Sequence, residues 1–136
     1  MLGFLLAFVC SVAGFCACCL KQLLERATAL SFNRITVDGD TSTNDAVILA
    51  ATGKAGNVII DDADSAAAEV LLTGLIDVAG QLAQAIVRDG EGASKFVTVA
   101  VEGGADEGEC LQVGYTVAES PLVKTALFAS DPNWGR

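Results

Sequence analysis

Residues 31–53 read SFNRITVDGDTSTNDAVILAATG, and this stretch decides the fold of the chain. Ile35 and Val37 alternate with polar residues, which is the period of a half-buried strand, so the pattern predicts a strand over 35–38. The apolar run that follows the central loop predicts a second strand over 46–51, buried on both faces. The stretch is therefore expected to fold as two strands on either side of a polar loop.

The loop between these strands consists of residues whose side chains all carry oxygen: Asp40, Thr41, Ser42, Thr43, Asn44 and Asp45. Such side chains bond to nearby backbone groups and hold tight turns. A calcium-binding loop counted from Asp38 is excluded, because its sixth and twelfth positions hold Thr43 and Leu49 instead of glycine and glutamate. A structural turn and a loop that shapes an active site both remain open.

The composition excludes several classes of function. A net charge of −9 argues against nucleic-acid binding, because phosphate backbones attract clustered lysine and arginine. The chain has no histidine, which excludes Ser-His and Cys-His catalysis and any histidine-ligated metal. A general base must therefore be a carboxylate, a lysine, a terminal amine or water. An N-terminal threonine whose own amine acts as the base is one route that needs no histidine.

Cysteine usage indicates a reducing compartment. Four of the five cysteines lie within the first 19 residues, and this odd, clustered set does not resemble a secreted disulfide framework. The spacing from Cys16 to Cys19 is that of a zinc-binding pair, but one pair without partner ligands is a weak sign of a metal site. We therefore expect no metal.

Residues 1–20 contain no charged side chain and are long enough to form a membrane helix. No lysine or arginine precedes the apolar core, and the first charge is Lys21, so the stretch does not match a signal peptide. Hydropathy alone leaves a membrane segment and a buried segment as open alternatives.

The rest of the chain alternates helical patterns with short apolar runs. The clearest helix is predicted over 65–87, where polar and apolar faces repeat at helical spacing after a cap at Asp64 or Ser65. Gly74 and Gly80 within this helix are expected to permit close packing at some cost in helix stability. The remaining predictions are the end of a helix over 21–29, short strands over 58–60 and 96–101, a helix over 105–118, and a helix through about 128 that Ser120 caps and Pro121 opens. Together these elements predict an α+β domain with helices packed on a mixed sheet.

Four separated segments carry a resemblance to a known family. They are MLGF at 1–4, the central stretch at 31–53, RDGEGA at 88–93 and SPLVKTALFASDPNWGR at 120–136. In this order they closely resemble the ornithine acetyltransferase family, the bifunctional glutamate N-acetyltransferases of arginine biosynthesis. Residues 5–19 fit the family poorly. This Cys-, Phe- and Gly-rich patch is interpreted as a short reading-frame disturbance or, alternatively, as real divergence.

The resemblance implies a fold and an activity. The fold would be a layered α-β-β-α sandwich of the ornithine acetyltransferase type, in which the segment after MLGF is a buried strand leading to a turn and a helix. Family members cleave themselves before a threonine, which takes the acetyl group from N-acetylornithine as an acyl-enzyme and passes it to glutamate. Some members also accept acetyl-CoA as the acetyl donor, and the resemblance implies no other cofactor.

The same resemblance predicts what surrounds this chain. Residues 1–136 correspond to a single partial domain of the family's β chain, truncated at both ends, and the α chain of the same precursor would complete an α2β2 heterotetramer. The implied setting is cytoplasmic, with no nucleic-acid or membrane partner. A small non-enzymatic membrane-associated protein, anchored by residues 1–20, is the alternative from another class. An intact small binding module descended from the enzyme is a third interpretation.

The residues that match the family's motifs set the expected site. The nucleophilic threonine would immediately precede Met1, so the chain itself is expected to contain no catalytic residue. Glu91 falls on the family's substrate-binding glutamate, and the glycines on either side of it let a ligand approach closely. By spacing alone, Glu91 would instead be an exposed turn residue paired with Arg88 or Lys95. The residues expected to support the site are Asp38, Asp40, Thr41, Arg88 and Asp89.

Overall fold

A computed structural model describes residues 6–40 and 42–134 of the chain. The MLGF match and Thr41 lie outside these described residues. The chain divides into two compact units, which within the described residues comprise 6–35 with 42–84 and 36–40 with 85–134. The elements, in chain order, are strand β1 (Leu6–Ser11), helix α1 (Ala17–Ala29), a 3₁₀ turn (Phe32–Arg34), strand β2 (Ala46–Ala51) and helices α2 (Ala66–Arg88), α3 (Glu107–Glu119) and α4 (Pro121–Ala129).

A two-stranded parallel sheet organises the first unit. The strands β1 and β2 pair along their whole length, beginning with Leu6 opposite Ala46. Parallel neighbours need a crossover connection, and α1 lies in the connection between them. A parallel bridge between Phe15 and Ile60 lies beyond the two strands. The chain is therefore mixed helix and sheet, and residues 6–19 form a strand and the start of a helix, as the resemblance implies. The expectation that this strand is buried is wrong, because Leu6 and Phe8 of β1 are 59% and 64% exposed.

The core of the first unit lies between α1 and α2. Leu23 is completely buried (0% exposed) and Cys19 nearly so (1%), and their spacing of four residues places both on one face of α1. Leu72 and Leu75 of α2 join them in one buried cluster. The Ser65 hydroxyl accepts a hydrogen bond at 3.3 Å from an amide in the first turn of α2, as the predicted N-cap requires. Local capping and apolar periodicity thus position the helix that closes this core.

Local signals also fix the two helices of the second unit. The Glu109 amide donates to the Asp106 carboxylate at 2.8 Å, and the Glu109 carboxylate accepts from the Ala105 amide at 2.6 Å. This reciprocal arrangement resembles a capping box and satisfies donors at the start of α3. Ser120 caps α4 and Pro121 lies in its first turn, as the sequence predicts.

The predicted helices are confirmed, with ends shifted by one or two residues. The helix predicted over 65–87 is α2, the one over 105–118 is α3, and the one through about 128 is α4. The pattern over 21–29 is the end of α1, which begins at Ala17. Of the short strand predicted over 58–60, the structure shows pairing at Ile60.

Two predicted strands are wrong. Residues 35–38 are coil and bend, and 96–101 have no assigned strand in the described part of the chain. Alternation marks one apolar face, but a strand also needs a neighbouring chain to share its ladder hydrogen bonds. The strand predicted over 46–51 is confirmed as β2, but it is not buried on both faces, because Ile48 is 44% exposed. The close packing expected at Gly74 and Gly80 is also wrong, since beyond the neighbouring residues and the backbone of the helix itself a Cβ at either position would meet no atom within 4 Å.

The apolar stretch at the start of the chain does not form a helix across its length. Residues 6–20 comprise β1, a turn and the first residues of α1. By length and composition alone, α2 is the one helix among the described residues that could cross a membrane. Three of its apolar residues, Ala68, Leu72 and Leu75, pack in the core of the first unit. Packing in this core accounts for their apolar character without a membrane.

Candidate functional site

The second unit contains a pocket of about 460 Å³. Its lining comes from residues 36–37, from the turn and extended chain that follow α2, and from the end of α3 with α4. Most of the lining side chains are apolar, and the charged ones are Glu91, Lys95 and Lys124. A concave, mostly apolar surface with a few convergent polar groups is the usual form of a small-molecule site. This pocket is therefore the candidate site.

Glu91 lies on the tight turn that follows α2. The Ala93 amide donates a hydrogen bond to the Gly90 carbonyl at 2.9 Å, which closes the turn around Glu91. Gly92 has a φ of +74°, a left-handed conformation that favours glycine. A Cβ at Gly90 would lie 3.4 Å from a methyl carbon of Val37, so a larger residue there would crowd the pocket wall. The two glycines thus fix the backbone that carries Glu91 to the pocket.

Two lysines bring positive charge to the same pocket. Lys124 Nζ donates a hydrogen bond to the Val37 carbonyl at 2.7 Å. Lys95 Nζ donates to the Leu127 carbonyl and to the Ser130 hydroxyl. These acceptors are uncharged, so they orient the ammonium groups without neutralising them. Together with the carboxylate on the neighbouring turn, the lysines give the pocket charges of both signs.

Arg88 and Asp89, which were predicted to support the site, lie where α2 runs into the turn. The Arg88 guanidinium stacks over the Phe96 ring, 3.9 Å from its centroid. This cation–π contact connects the end of the helix to the chain that leaves the turn. The Asp89 amide donates to the Ala85 carbonyl at 2.9 Å and so extends the helical hydrogen bonding by one residue. Both contacts brace the turn, and the supporting role of the two residues in the site stays a prediction.

The start of the central loop forms a turn held by a side chain. Asp38 Oδ1 accepts a hydrogen bond from the Asp40 amide at 2.9 Å, which is an Asx-type turn. The residues that line the pocket are Thr36 and Val37, immediately before this turn, whereas Asp38 and Asp40 are exposed and do not line it. The two aspartates therefore lie next to the pocket wall in sequence, and their supporting role, like that of Thr41, stays a prediction.

The sequence reasoning missed the part of the pocket that α4 supplies. Lys124 and the apolar side chains of Val123, Leu127 and Phe128 line it. The signal was available, because Val123 and Leu127 are four residues apart and so share one face of a helix. They also fall within the matching segment at 120–136, to which the sequence assigned no site residue.

Comparisons with known proteins agree with this fold. The model of the ArgJ family matches residues 1–136. The arginine biosynthesis bifunctional protein ArgJ of Pseudomonas syringae pv. tomato is 54% identical over 132 residues, which cover 97% of this chain and 33% of that protein. Its counterpart from Pseudomonas fluorescens is 60% identical over 117 residues, which cover 86% of this chain and 29% of that protein. The chain thus spans about a third of the length of the curated relatives it matches.

A solved structure supports the same assignment. The arginine biosynthesis bifunctional protein ArgJ of Bacillus halodurans matches with a TM-score of 0.89 and 40% sequence identity, over 96% of this chain and 61% of that chain. The match of the family model to every residue and the shared fold lead to one conclusion. The chain belongs to the ArgJ family, an acetyltransferase family of arginine biosynthesis.

Proposed function

We propose that this chain is the substrate-orienting part of an ornithine acetyltransferase, which moves an acetyl group from N-acetylornithine to glutamate. One observation carries the proposal: Glu91 lines a pocket that also presents Lys95 and Lys124. N-acetylornithine carries a side-chain ammonium and a carboxylate, so it needs charges of both signs. Glu91 would hold the ammonium group, and the lysines would attract the carboxylate.

The acetyl transfer itself needs a nucleophile, a base and preorganised oxyanion donors. The resemblance to the family implies that the nucleophile is a threonine, which would immediately precede Met1. Its hydroxyl oxygen attacks the acetyl carbonyl of N-acetylornithine, forms an ester and releases ornithine. The amine of glutamate then attacks the ester and regenerates the threonine. Glu91, Lys95 and Lys124 are proposed to bind and orient the amino-acid part of the substrate.

The same proposal includes the setting of the enzyme. The α chain of the precursor would pack against this chain in an α2β2 heterotetramer with layered α-β-β-α architecture, in the cytoplasm, and acetyl-CoA could serve as a second acetyl donor. Exposed apolar side chains such as Val58, Val70 and Phe128 support a covering protein chain. The membrane-anchored alternative draws no support from the relatives, which are biosynthetic proteins by name.

The experiment that tests the proposal is Glu91→Gln in the complete, self-cleaved enzyme that contains this segment. The substitution keeps the shape of the side chain and removes its charge. Losing one charge-assisted contact should lower kcat/KM for N-acetylornithine about ten- to a hundredfold, or roughly 1.5–3 kcal/mol. Self-cleavage should continue, because the turn backbone and the threonine are unchanged.

A matched control is Glu102→Gln, which removes the same charge from an exposed residue of the second unit that does not line the pocket. We expect this variant to keep the wild-type kcat/KM. If Glu91→Gln also keeps the wild-type value, Glu91 does not bind the substrate and the assignment of the pocket is wrong.

A further inference from the structure

The start of α1 carries two thiols in direct contact. Cys16 is the N-cap of the helix and Cys18 is its second residue. Their Sγ atoms lie 2.6 Å apart, and both residues are free thiols. Cys18 is exposed and Cys16 is half-buried, so a reagent in solution can reach the pair.

The extended backbone of Cys16 explains why the two thiols meet. Within a regular helix, residues two apart do not face each other. As the N-cap, Cys16 instead has φ −71° and ψ 153°, and its side chain turns back over the first turn of α1, where its sulfur accepts from the Cys19 amide and contacts Cys18. The neighbouring Cys19 is only 1% exposed and belongs to the core of the first unit, so its thiol is shielded from solution. Cys16 and Cys18 are therefore accessible to solvent as a pair, whereas the thiol of Cys19 is buried.

The two thiols are chemically different. The hydrogen bond from the Cys18 thiol, and after it the bond from the Cys19 amide at 3.2 Å, lower the pKa of Cys16 below that of an ordinary cysteine. The same contact with Cys16 raises the pKa of Cys18, because it favours the protonated form of the donor. Since the thiolate is the nucleophile, Cys16 is the attacking sulfur and Cys18 the resolving one.

We propose that Cys16 and Cys18 are a redox-modification site that low-molecular-weight disulfides, such as glutathione disulfide, convert reversibly to an intrachain disulfide. The Cys16 thiolate attacks one sulfur of glutathione disulfide, breaks its S–S bond and releases one glutathione thiolate. Cys18 then loses its proton, and its thiolate attacks the Cys16 sulfur of the mixed disulfide, which releases the second glutathione. The dithiol loses two electrons, and glutathione disulfide gains them together with two protons to give two glutathione molecules.

The test is to equilibrate the complete enzyme that contains this segment with glutathione and glutathione disulfide, quench with acid, and alkylate the remaining thiols. Intact mass and fragment spectra then count and locate the bridges. We expect the wild-type chain to lose two hydrogens through a Cys16–Cys18 bridge and to regain them in excess reduced glutathione. Cys16→Ser and Cys18→Ser should abolish the bridge.

Cys10→Ser is the matched control, because it removes another exposed thiol, on β1, and leaves the pair intact. This variant should form the bridge to the wild-type extent. The proposal is overturned if the wild-type chain gives only mixed glutathione adducts. It is equally overturned if either pair variant still forms a bridge, or if Cys10→Ser abolishes it.

Discussion

Replacing Leu23 with alanine tests the core between α1 and α2. The Leu23 side chain is 0% exposed, and among the described residues Leu23 and Cys19 have the largest fully buried side chains. The substitution removes three buried carbons at about 0.8 kcal/mol each. The cavity left behind raises the expected destabilisation to about 3 kcal/mol, because Leu72 and Leu75 on α2 are held by their own helix and collapse only in part.

Hydrogen exchange in the complete enzyme that contains this segment measures this loss locally. A change of about 3 kcal/mol in the free energy of opening corresponds to about a hundredfold faster exchange of the α1 amides. Leu30→Ala deletes the same atoms at the end of the same helix, where the side chain is 50% exposed. It should change exchange by only about twofold. Equal exchange rates in the two variants would refute the packing of Leu23 in the core.

Three further predictions concern the α3 cap, the thiol pair and the isolated chain. Asp106→Ala should lower the stability of α3 by about 1 kcal/mol and speed hydrogen exchange of its first amides several-fold. Asp106→Asn keeps a hydrogen-bond acceptor and should leave both unchanged, so equal effects of the two variants would argue against the cap. Alkylation of Cys16 should reach its half-maximal rate at a lower pH than alkylation of an ordinary cysteine, because the pKa of Cys16 is lowered. Cys18→Ala should raise the pH of that half-maximal rate, and an unchanged value would show that Cys18 does not stabilise the Cys16 thiolate. The purified 136-residue chain should not turn over N-acetylornithine above the buffer blank, since neither histidine nor the family's threonine is present to act; measurable turnover would contradict this.

The helices could be predicted from sequence because their signals are local. Ser65 and Ser120 both cap a helix where the sequence indicated, and Pro121 opens α4. Each cap acts within three residues, and apolar periodicity acts within a turn or two. The ends of α2 and α3 accordingly shifted by no more than two residues from prediction.

The strands depended on partners that the pattern could not reveal. The run over 46–51 forms β2 because β1, 40 residues earlier at Leu6↔Ala46, pairs with it in parallel. The equally regular alternation over 96–101 has no assigned partner strand in the described part of the chain. A period of two records which side chains share a face, and it contains no information on which chain lies alongside.

Of the residues that line the pocket, the sequence pointed to Glu91 as a site residue and to none of the others. Spacing alone favoured an exposed turn for Glu91, and the RDGEGA match was what identified it. Residues 36–37 and 123–128 join Glu91 only through the tertiary fold of the second unit, where Lys124 bonds to the carbonyl of Val37. No local sequence pattern connects segments separated by more than 80 residues.

The core of the first unit and the pocket of the second differ in how far this chain alone buries their apolar side chains. The core around Leu23 is built from residues of the first unit, so the free-energy cost of truncating Leu23 is set by contacts within that unit. Val97 and Val99, by contrast, line the pocket while remaining 43% and 39% exposed. Because the chain spans about a third of the length of its relatives, we expect other parts of the enzyme to cover these valines. Covering them would lower the local dielectric around the pocket, which would strengthen the proposed contact between Glu91 and a substrate ammonium. The penalty for Glu91→Gln should therefore be larger in the complete enzyme than any binding loss measured on the isolated chain.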